Sequence, residues 1–323
     1  MPTKTYREAI SEALWEEMER DERIFIMGEE VGVWGGTYAV TRGFYDHFGE
    51  KRVRDTPISE MAIAGAATGA AMGGLRPVAE LMTINFAFLA LDAIVNAAAK
   101  VHYMFGGQIT APVVIRTTTG GGRQLGATHS HSPEAIFAHF PGLYVVTPST
   151  PYDAKGLLKS AIRDDNPVLF VEHSTLYQVR GEVPEGDYTV PLGVSDVKRE
   201  GSDVTLVAFS KMVHVALEAA DRLEKDGISA EVVDLRCLRP LDMGPVLESF
   251  KKTTRCVVVE EGWASYGVGA EIAARIQDQA FDWMDAPVKR VSQVEVPLPY
   301  SRELEQSALP DAAKVIAAVH EIV

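Results

Sequence analysis

The sequence predicts an α/β protein built as two open, mostly parallel α/β sandwich domains. Three observations carry this. The chain has 323 residues, enough for two domains at roughly 100–200 residues each. Short apolar runs alternate with helical patterns, as in parallel sheets covered on both faces. Residues 174 to 201 interrupt the alternation with a stretch rich in Gly, Pro and charge, the composition of an interdomain connection.

The elements follow in order. Tyr6, Ala9, Ala13, Leu14 and Met18 recur at helical spacing. "RIFIMGEE" reads as a strand, "VGVWGG" as a loop, and Val40 to Phe48 as an amphipathic helix. "KRVRDTP" is a brief strand, and Thr56-Pro57 then opens a helix, with Thr as cap and Pro in the first position. Strand "RPVAELM" precedes helix "FAFLALDAIVNAAAKVHYM". Strand "PVVIRTT" leads into the Gly-rich loop "TGGGRQLGATHSH" and helix "PEAIFAHF". "LYVVTP", "PYDAKGLLKSAIRDDN" and "PVLFVEH" read strand, helix, strand. A second alternation runs from "VTLVAFS" to "PDAAKVIAAVHEIV". The expected division is a domain at 1–185, a linker at 186–201 and a domain at 202–323.

Composition narrows the function. Hydrophobic residues are 46% and charged residues 24%, so a core can offset the ordering entropy and disorder is not expected. A net charge of −14 repels phosphate backbones, which argues against nucleic acid. Cys237 and Cys256 are too far apart for a C-x-x-C motif and read as core thiols. The N-terminal sequence lacks the pattern of a signal or transit peptide. No apolar stretch reaches the roughly 20 residues of a membrane span. A cytoplasmic protein that does not engage membranes is expected.

One stretch poses a question. "TPISEMAIAGAATGAAMGG" places a single acid, Glu60, ahead of small residues. An acid in a helix's first turn suits the helix dipole. Yet Gly65, Gly69 and Gly73 repeat every fourth residue, as do Ala62, Ala66 and Ala70. Each Gly costs roughly 1 kcal/mol of helix stability relative to Ala, which makes sense if another backbone approaches closely. Glu60 is then expected at a dry interface, where a carboxyl can serve as proton donor or hydrogen-bond partner.

Two further clusters have a functional and a bland reading. In "GATHSHSPEAIFAHF", zinc could draw on His129, His131 and His139, but no carboxylate completes the set. A Gly-rich loop delivering a His to a cleft is the stronger functional reading, against a surface loop with incidental histidines. "AIRDDNP" could hold a monovalent cation through helix-end carbonyls, or be ordinary helix-ending chemistry. Neither G-x-x-x-x-G-K-[ST] nor G-x-S-x-G occurs, and "GVGAEI" lacks the third glycine and the following acid of a dinucleotide fingerprint.

Taken together, "MGEEVG", "RVRDTPISEMAIAGAATGAAMGGLRPVAELMT", "ATHSHSPEA", "PGLYVVTPSTPYDAKGLLKSAIRDDNPVLFVE" and "EEGWASYGVGAEIAARI" resemble one family across essentially the whole chain. This is the family of β-subunits of the decarboxylating component of 2-oxo acid dehydrogenase complexes. "EEGWASYGVGAEI" is most similar to the pyruvate branch, with the branched-chain and acetoin branches as close competitors. The resemblance implies a thiamin-diphosphate pyrimidine-binding domain followed by a transketolase C-terminal-like domain. It implies an α2β2 heterotetramer whose α-subunit holds the diphosphate and magnesium through G-D-G…N-N. Neither half of that motif occurs here, as expected of a β-subunit that is inactive alone.

Position by position, the resemblance makes Glu60 the acid that hydrogen-bonds the aminopyrimidine ring. The ring's exocyclic nitrogen takes the thiazolium proton, and the cofactor is the electron sink for loss of carbon dioxide. Glu29 matches an acid near the cofactor, and Met82 and Phe86 match residues packed around the aminopyrimidine. His129 matches the loop histidine implicated in passing the acyl group to a lipoyl arm. The family often has Gln where Thr128 and His131 stand here, which bears on the loop's fine chemistry. Val113, Ala161, Ile162, Asp164 and Asn166 match positions that bind potassium in some members. The implied partners are the α-subunit, the lipoyl and subunit-binding domains of a dihydrolipoyl acyltransferase, and a 2-oxo acid. The rival reading from another class is a non-catalytic scaffold subunit.

Overall fold

The computed structural model describes the whole chain, Met1–Val323. It divides into two compact units. The first comprises Met1–Thr119 and Ile136–Leu192, the second Gly120–Ala135 and Gly193–Val323. No single helix is long and apolar enough to cross a membrane.

The first unit opens with β1 (Thr3–Thr5), α1 (Tyr6–Arg20), β2 (Ile24–Gly28), α2 (Phe44–Phe48), β3 (Val53–Asp55), α3 (Glu60–Met72) and β4 (Arg76–Leu81). It continues through α4 (Ile84–Ala87), α5 (Ala99–Met104) and β5 (Val114–Thr119). After α6 (Glu134–Ala138), where the chain changes unit, come β6 (Tyr144–Val146), α7 (Pro151–Arg163), β7 (Val168–His173) and β8 (Arg180–Glu182). Its main-sheet strands run in the order β6-β7-β5-β4-β2-β3, all parallel. The chain leaves β2 for β3 on one side and returns to β4 on the other. That reversal is a topological switch point, and ligands of open α/β sheets bind at the strands' carboxyl ends there.

Local chemistry explains the main helices. Thr5 and Glu8 form a capping box on α1: Glu8 N–H donates to Thr5 Oγ1 at 3.2 Å, and Thr5 N–H to Glu8 Oε2 at 2.7 Å. Thr150 caps α7, with Pro151 in its first turn. α7 packs on α1 across a charged seam. The buried Lys155 and Lys159 reach Glu16 at 2.8 and 2.6 Å, and Arg163 reaches Glu17 at 2.5 Å.

The second unit contains β9 (Asp196–Arg199), β10 (Val204–Ala208), α8 (Met212–Leu223), β11 (Ala230–Asp234), β12 (Cys237–Arg239), α9 (Gly244–Thr253) and β13 (Cys256–Trp263). It ends with α10 (Val268–Ala280), β14 (Lys289–Gln293), α11 (Arg302–Ala308) and α12 (Ala312–His320). Its sheet order is β14-β13-β10-β11-β9, with only β9 antiparallel. Val204, Leu206, Val232, Val257 and Val259 pack on Val213, Ala216 and Ala220 of α8 and Val315 of α12. Both cysteines are buried and form no disulfide.

Several elements differ from the sequence pattern. α3 starts at Glu60 after Ser59, so Thr56 is not its cap, and the helix entrance carries no side-chain cap bond. The helix expected over Val40 to Phe48 shrinks to Phe44–Phe48, because Ala39 and Gly43 take positive φ values of 56° and 83°. The single helix expected after β4 breaks into α4, a 3₁₀ turn at Phe88–Ala90, a π turn at Ala93–Ala98, and α5. The small-residue stripe packs on nothing within the chain. Ile63, Ala64, Ala67, Thr68 and Ala71 are α3's inward face, whereas a Cβ on Gly65 or Gly69 would meet no atom within 4 Å.

Candidate active site

In the first unit, the elements around the switch point gather three acids. Glu29 follows the last residue of β2, Glu60 opens α3, and Glu80 lies near the end of β4. All three are buried, at 9%, 5% and 9% exposure. α3 is 13 residues long, so its N-terminus favours a carboxylate in that place. The Glu60 carboxylate forms no side-chain hydrogen bond or ion pair within the chain. Glu29 Oε1 and Thr56 Oγ1 are likewise buried without a partner. Burial raises the Glu29 pKa above the ordinary carboxylate value, and the charges of Glu60 and Glu80 raise it further.

Backbone geometry holds the strand ends close. A Cβ on Gly28 would lie 2.7 Å from the Glu80 carbonyl oxygen, so only glycine lets β2 and β4 approach this closely beside Glu29. Asp55 Oδ1 accepts from Gly32 N–H at 2.6 Å, and Val31 O accepts from Thr41 Oγ1 at 2.6 Å, pinning the loop after β2. Met82 and Phe86 are half-buried just past β4, and Thr118 Oγ1 donates to the Met82 carbonyl at 2.9 Å.

Glu80 differs from its neighbours because a cation meets it. Arg116 of β5, only 2% exposed, donates to Glu80 Oε2 at 2.5 Å. It also forks onto Glu172 of β7, through Nε to Oε1 and through Nη2 to Oε2 at 3.0 Å. Tyr177 Oη donates to Glu172 Oε2 at 2.5 Å. Burial opposes the Arg116 charge, yet Glu172 and Glu80 hold its pKa well above the ordinary value. Burial pushes Glu80 up, partly offset by Arg116. Sequence pattern does not reveal this network, because Glu80, Arg116 and Glu172 come from three strands that become neighbours only in the sheet.

In the second unit, Gly120–Ala135 forms the histidine loop. His129 and Thr128 are exposed at its tip, with Thr128 Oγ1 and His129 Nδ1 2.9 Å apart. Ser130 is 2% exposed and its hydroxyl has no partner. His131 is half-buried, with its ring 5.6 Å from that of Trp263. Burial lowers its pKa, and the His129 charge acts in the same direction. No group of three or more His, Cys, Asp and Glu side chains is arranged to hold a metal.

Val113, Ala161, Ile162, Asp164 and Asn166 lie in the first unit, around the C-terminus of α7 and the starts of β5 and β7. The Ile162 and Asp164 carbonyls both accept from Arg76 Nη1, at 3.0 and 2.8 Å. Asp164 Oδ1 accepts from the Asn166 backbone N–H and Nδ2, each at 2.8 Å. The Val113 carbonyl accepts from Val168 N–H at 2.9 Å.

Comparison with known proteins agrees with this two-unit arrangement. Residues 3–180 match the transketolase pyrimidine binding domain, and residues 193–315 the transketolase C-terminal domain. The chain is 51% identical to the pyruvate dehydrogenase E1 component subunit beta of Rickettsia felis, over 98% of both chains. The chain belongs to the E1 β-subunit family. The same subunit of Rhizobium meliloti is 49% identical over all of this chain and 70% of its own length. The 2-oxoisovalerate dehydrogenase subunit beta of Bacillus subtilis is 47% identical over 100% of this chain and 99% of its own. A solved split-gene transketolase, described as an inactive beta4 tetramer, superposes with a TM-score of 0.79 at 27% identity, covering 98% and 97% of the two chains.

Transketolase-type pyrimidine domains serve thiamin diphosphate, and the acids of this E1 β-chain suit its aminopyrimidine end. That ring offers N–H donors, and the buried partnerless oxygen of Glu29 and the unbonded carboxylate of Glu60 are acceptors.

Proposed function

We propose that this chain is the β-subunit of a pyruvate dehydrogenase-type decarboxylase, which decarboxylates pyruvate and reductively acetylates a lipoyl domain. The observation that carries the reading is the pair of buried acids at the switch point, Glu29 and Glu60. They lack protein partners while their neighbour Glu80 is held by Arg116. A scaffold subunit has no use for two such acids, whose burial is costly unless a ligand meets them. The identity to chains named as pyruvate dehydrogenase subunits supports the pyruvate branch.

In this reading Glu60 hydrogen-bonds the aminopyrimidine ring nitrogen and holds a proton there. Glu29 lies behind it as a second acid, and Met82 and Phe86 pack against the ring and keep water out. Thiamin diphosphate, when bound, supplies a nucleophilic carbon and an electron sink for loss of carbon dioxide. His129 assists transfer of the acyl group to the lipoyl arm. The α-subunit holds the diphosphate and magnesium, so turnover requires an α2β2 assembly. The open face of α3 at Gly65 and Gly69 is proposed to meet a second copy of this chain. The acyltransferase is engaged through its lipoyl and subunit-binding domains, and the assembly works in the cytoplasm. The domains are taken as 1–185 and 202–323 with a linker at 186–201.

We further propose potassium at Val113, Ala161, Ile162, Asp164 and Asn166. A set dominated by carbonyl and carboxylate oxygens suits a hard cation. Since Arg76 already uses one lone pair of the Ile162 and Asp164 carbonyls, the ion would use their second.

The branched-chain reading keeps a specific support, the 47% identity to a 2-oxoisovalerate subunit. Competition among pyruvate, 2-oxoisovalerate and acetoin, with the chain assembled with its α partner, decides between them. Pyruvate is expected to have the highest kcat/KM. A preference for either competitor replaces the pyruvate assignment.

A further inference from the structure

The loop that carries His129 is gripped by two carboxylates of its own unit. From Gly120 to Gly126 the backbone repeatedly enters positive φ: Gly120 at 93°, Gly122 at 91°, Gln124 at 58° and Gly126 at 76°. Residues of alternating handedness turn their N–H groups into a common concavity, the kind of nest that binds anions. Here Glu305 of α11 fills it. Its Oε1 accepts from Gly122 N–H at 3.0 Å, and both its oxygens accept from Gln124 N–H at 3.1 Å. Glu305 is 1% exposed, and no Lys or Arg pairs with it. A buried carboxylate without a cation is costly unless hydrogen-bonded, so its burial and this loop conformation require each other.

A second acid grips the two ends. Glu261 Oε1 accepts from Gly121 N–H at 2.6 Å and from Ser132 Oγ at 3.2 Å. Gly120 N–H donates to the His131 carbonyl at 3.2 Å and closes the neck. The Tyr300 ring lies against Gly126, where an added Cβ would be only 2.4 Å away. Thr128 and His129 are exposed just beyond this braced segment, as are Gly122 to Leu125 within it. We infer that Glu305 is a positioning residue for acyl transfer: through the nest it sets where His129 stands. This rests on the proposed role of His129.

The test uses the chain assembled with its α partner and compares two electron acceptors, a lipoyl domain and ferricyanide. Glu305→Gln keeps the shape but removes the charge that holds the nest. It is expected to lower kcat/KM for the lipoyl domain by about 10- to 100-fold while ferricyanide turnover stays within about threefold. Gly122→Ala leaves Glu305 intact but penalises the nest's positive φ, and should give the same split even if Glu305→Gln folds poorly. His129→Ala is the reference. A split in His129→Ala, with equal losses for both acceptors or no loss in the other two variants, overturns the positioning role. No split in His129→Ala removes the reading of His129 itself, and the positioning role with it.

Discussion

Two pairs of buried carboxylates, one in each unit, are treated in opposite ways. In the second, Glu261 and Glu305 are filled with backbone N–H donors from one loop. In the first, Glu29 and Glu60 stand at the strand ends with acceptor capacity unused, while Glu80 beside them is held by Arg116. A filled acid is part of the scaffold that shapes a loop. An unfilled one, kept buried at a cost, is reserved for a donor from outside the chain. Burial alone does not separate the two kinds, since all five acids are buried. The partners do.

The largest effect that would break this contrast lies at Glu60. In the assembled complex, Glu60→Gln is expected to lower decarboxylation by about 10²- to 10⁴-fold, the range of a lost general acid–base group, with the fold intact by circular dichroism. Near-normal turnover would mean that an unfilled acid is not a functional one. Next comes Arg116→Met. It leaves Glu80 and Glu172 buried with no cation and should destabilise the first unit by about 3–5 kcal/mol, as broken buried pairs do. Urea unfolding measures this, and a change under 1 kcal/mol, on the scale of an exposed pair, would place Glu80 with the unfilled acids.

Glu260 sharpens the contrast within the second unit. Burial pushes its carboxyl up to about 7 from an ordinary value of 4.5, although Gly269 N–H donates to it at 3.1 Å. A group with a raised folded-state pKa binds more protons folded than unfolded. Its stability contribution is therefore complete below about pH 4.5 and lost as pH rises through about 7, a change of about 3 kcal/mol. Glu260→Gln should flatten that slope in a stability–pH profile, and an unchanged slope would assign it to other groups. The smallest expected effect is at the open stripe. Gly69→Ala should stabilise the isolated chain by up to about 1 kcal/mol, because nothing lies within 4 Å of the new methyl. The same change should weaken self-association in sedimentation; unaltered association would exclude that face as the contact.

Much of the fold was legible because it is written in local pattern. The strands from "RIFIMG" to "CVVVEE" appear where apolar runs predict them. The acid at the head of the small-residue helix was legible too, as a residue without a partner in reach. What failed was set by geometry that composition does not encode. The run from Ile84 to Met104 is mostly apolar and holds no Gly or Pro, so its breaks into 3₁₀ and π turns leave no trace in the sequence pattern. Ser59 rather than Thr56 precedes α3, since Pro57 and Ile58 remain outside the helix. Glu305 sits on a seven-residue helix too short to show a period. Its partner loop lies about 180 residues earlier in the chain, beyond any local reading.

The most direct test of the account mixes subunits. Ferricyanide-coupled turnover of pyruvate is measured with thiamin diphosphate and magnesium, for this chain alone, for an α partner alone and for the two together. The unfilled acids at the switch point require turnover only from the mixture, abolished there by Glu60→Gln. Full activity from this chain alone, or a mixture indifferent to Glu60, would contradict it.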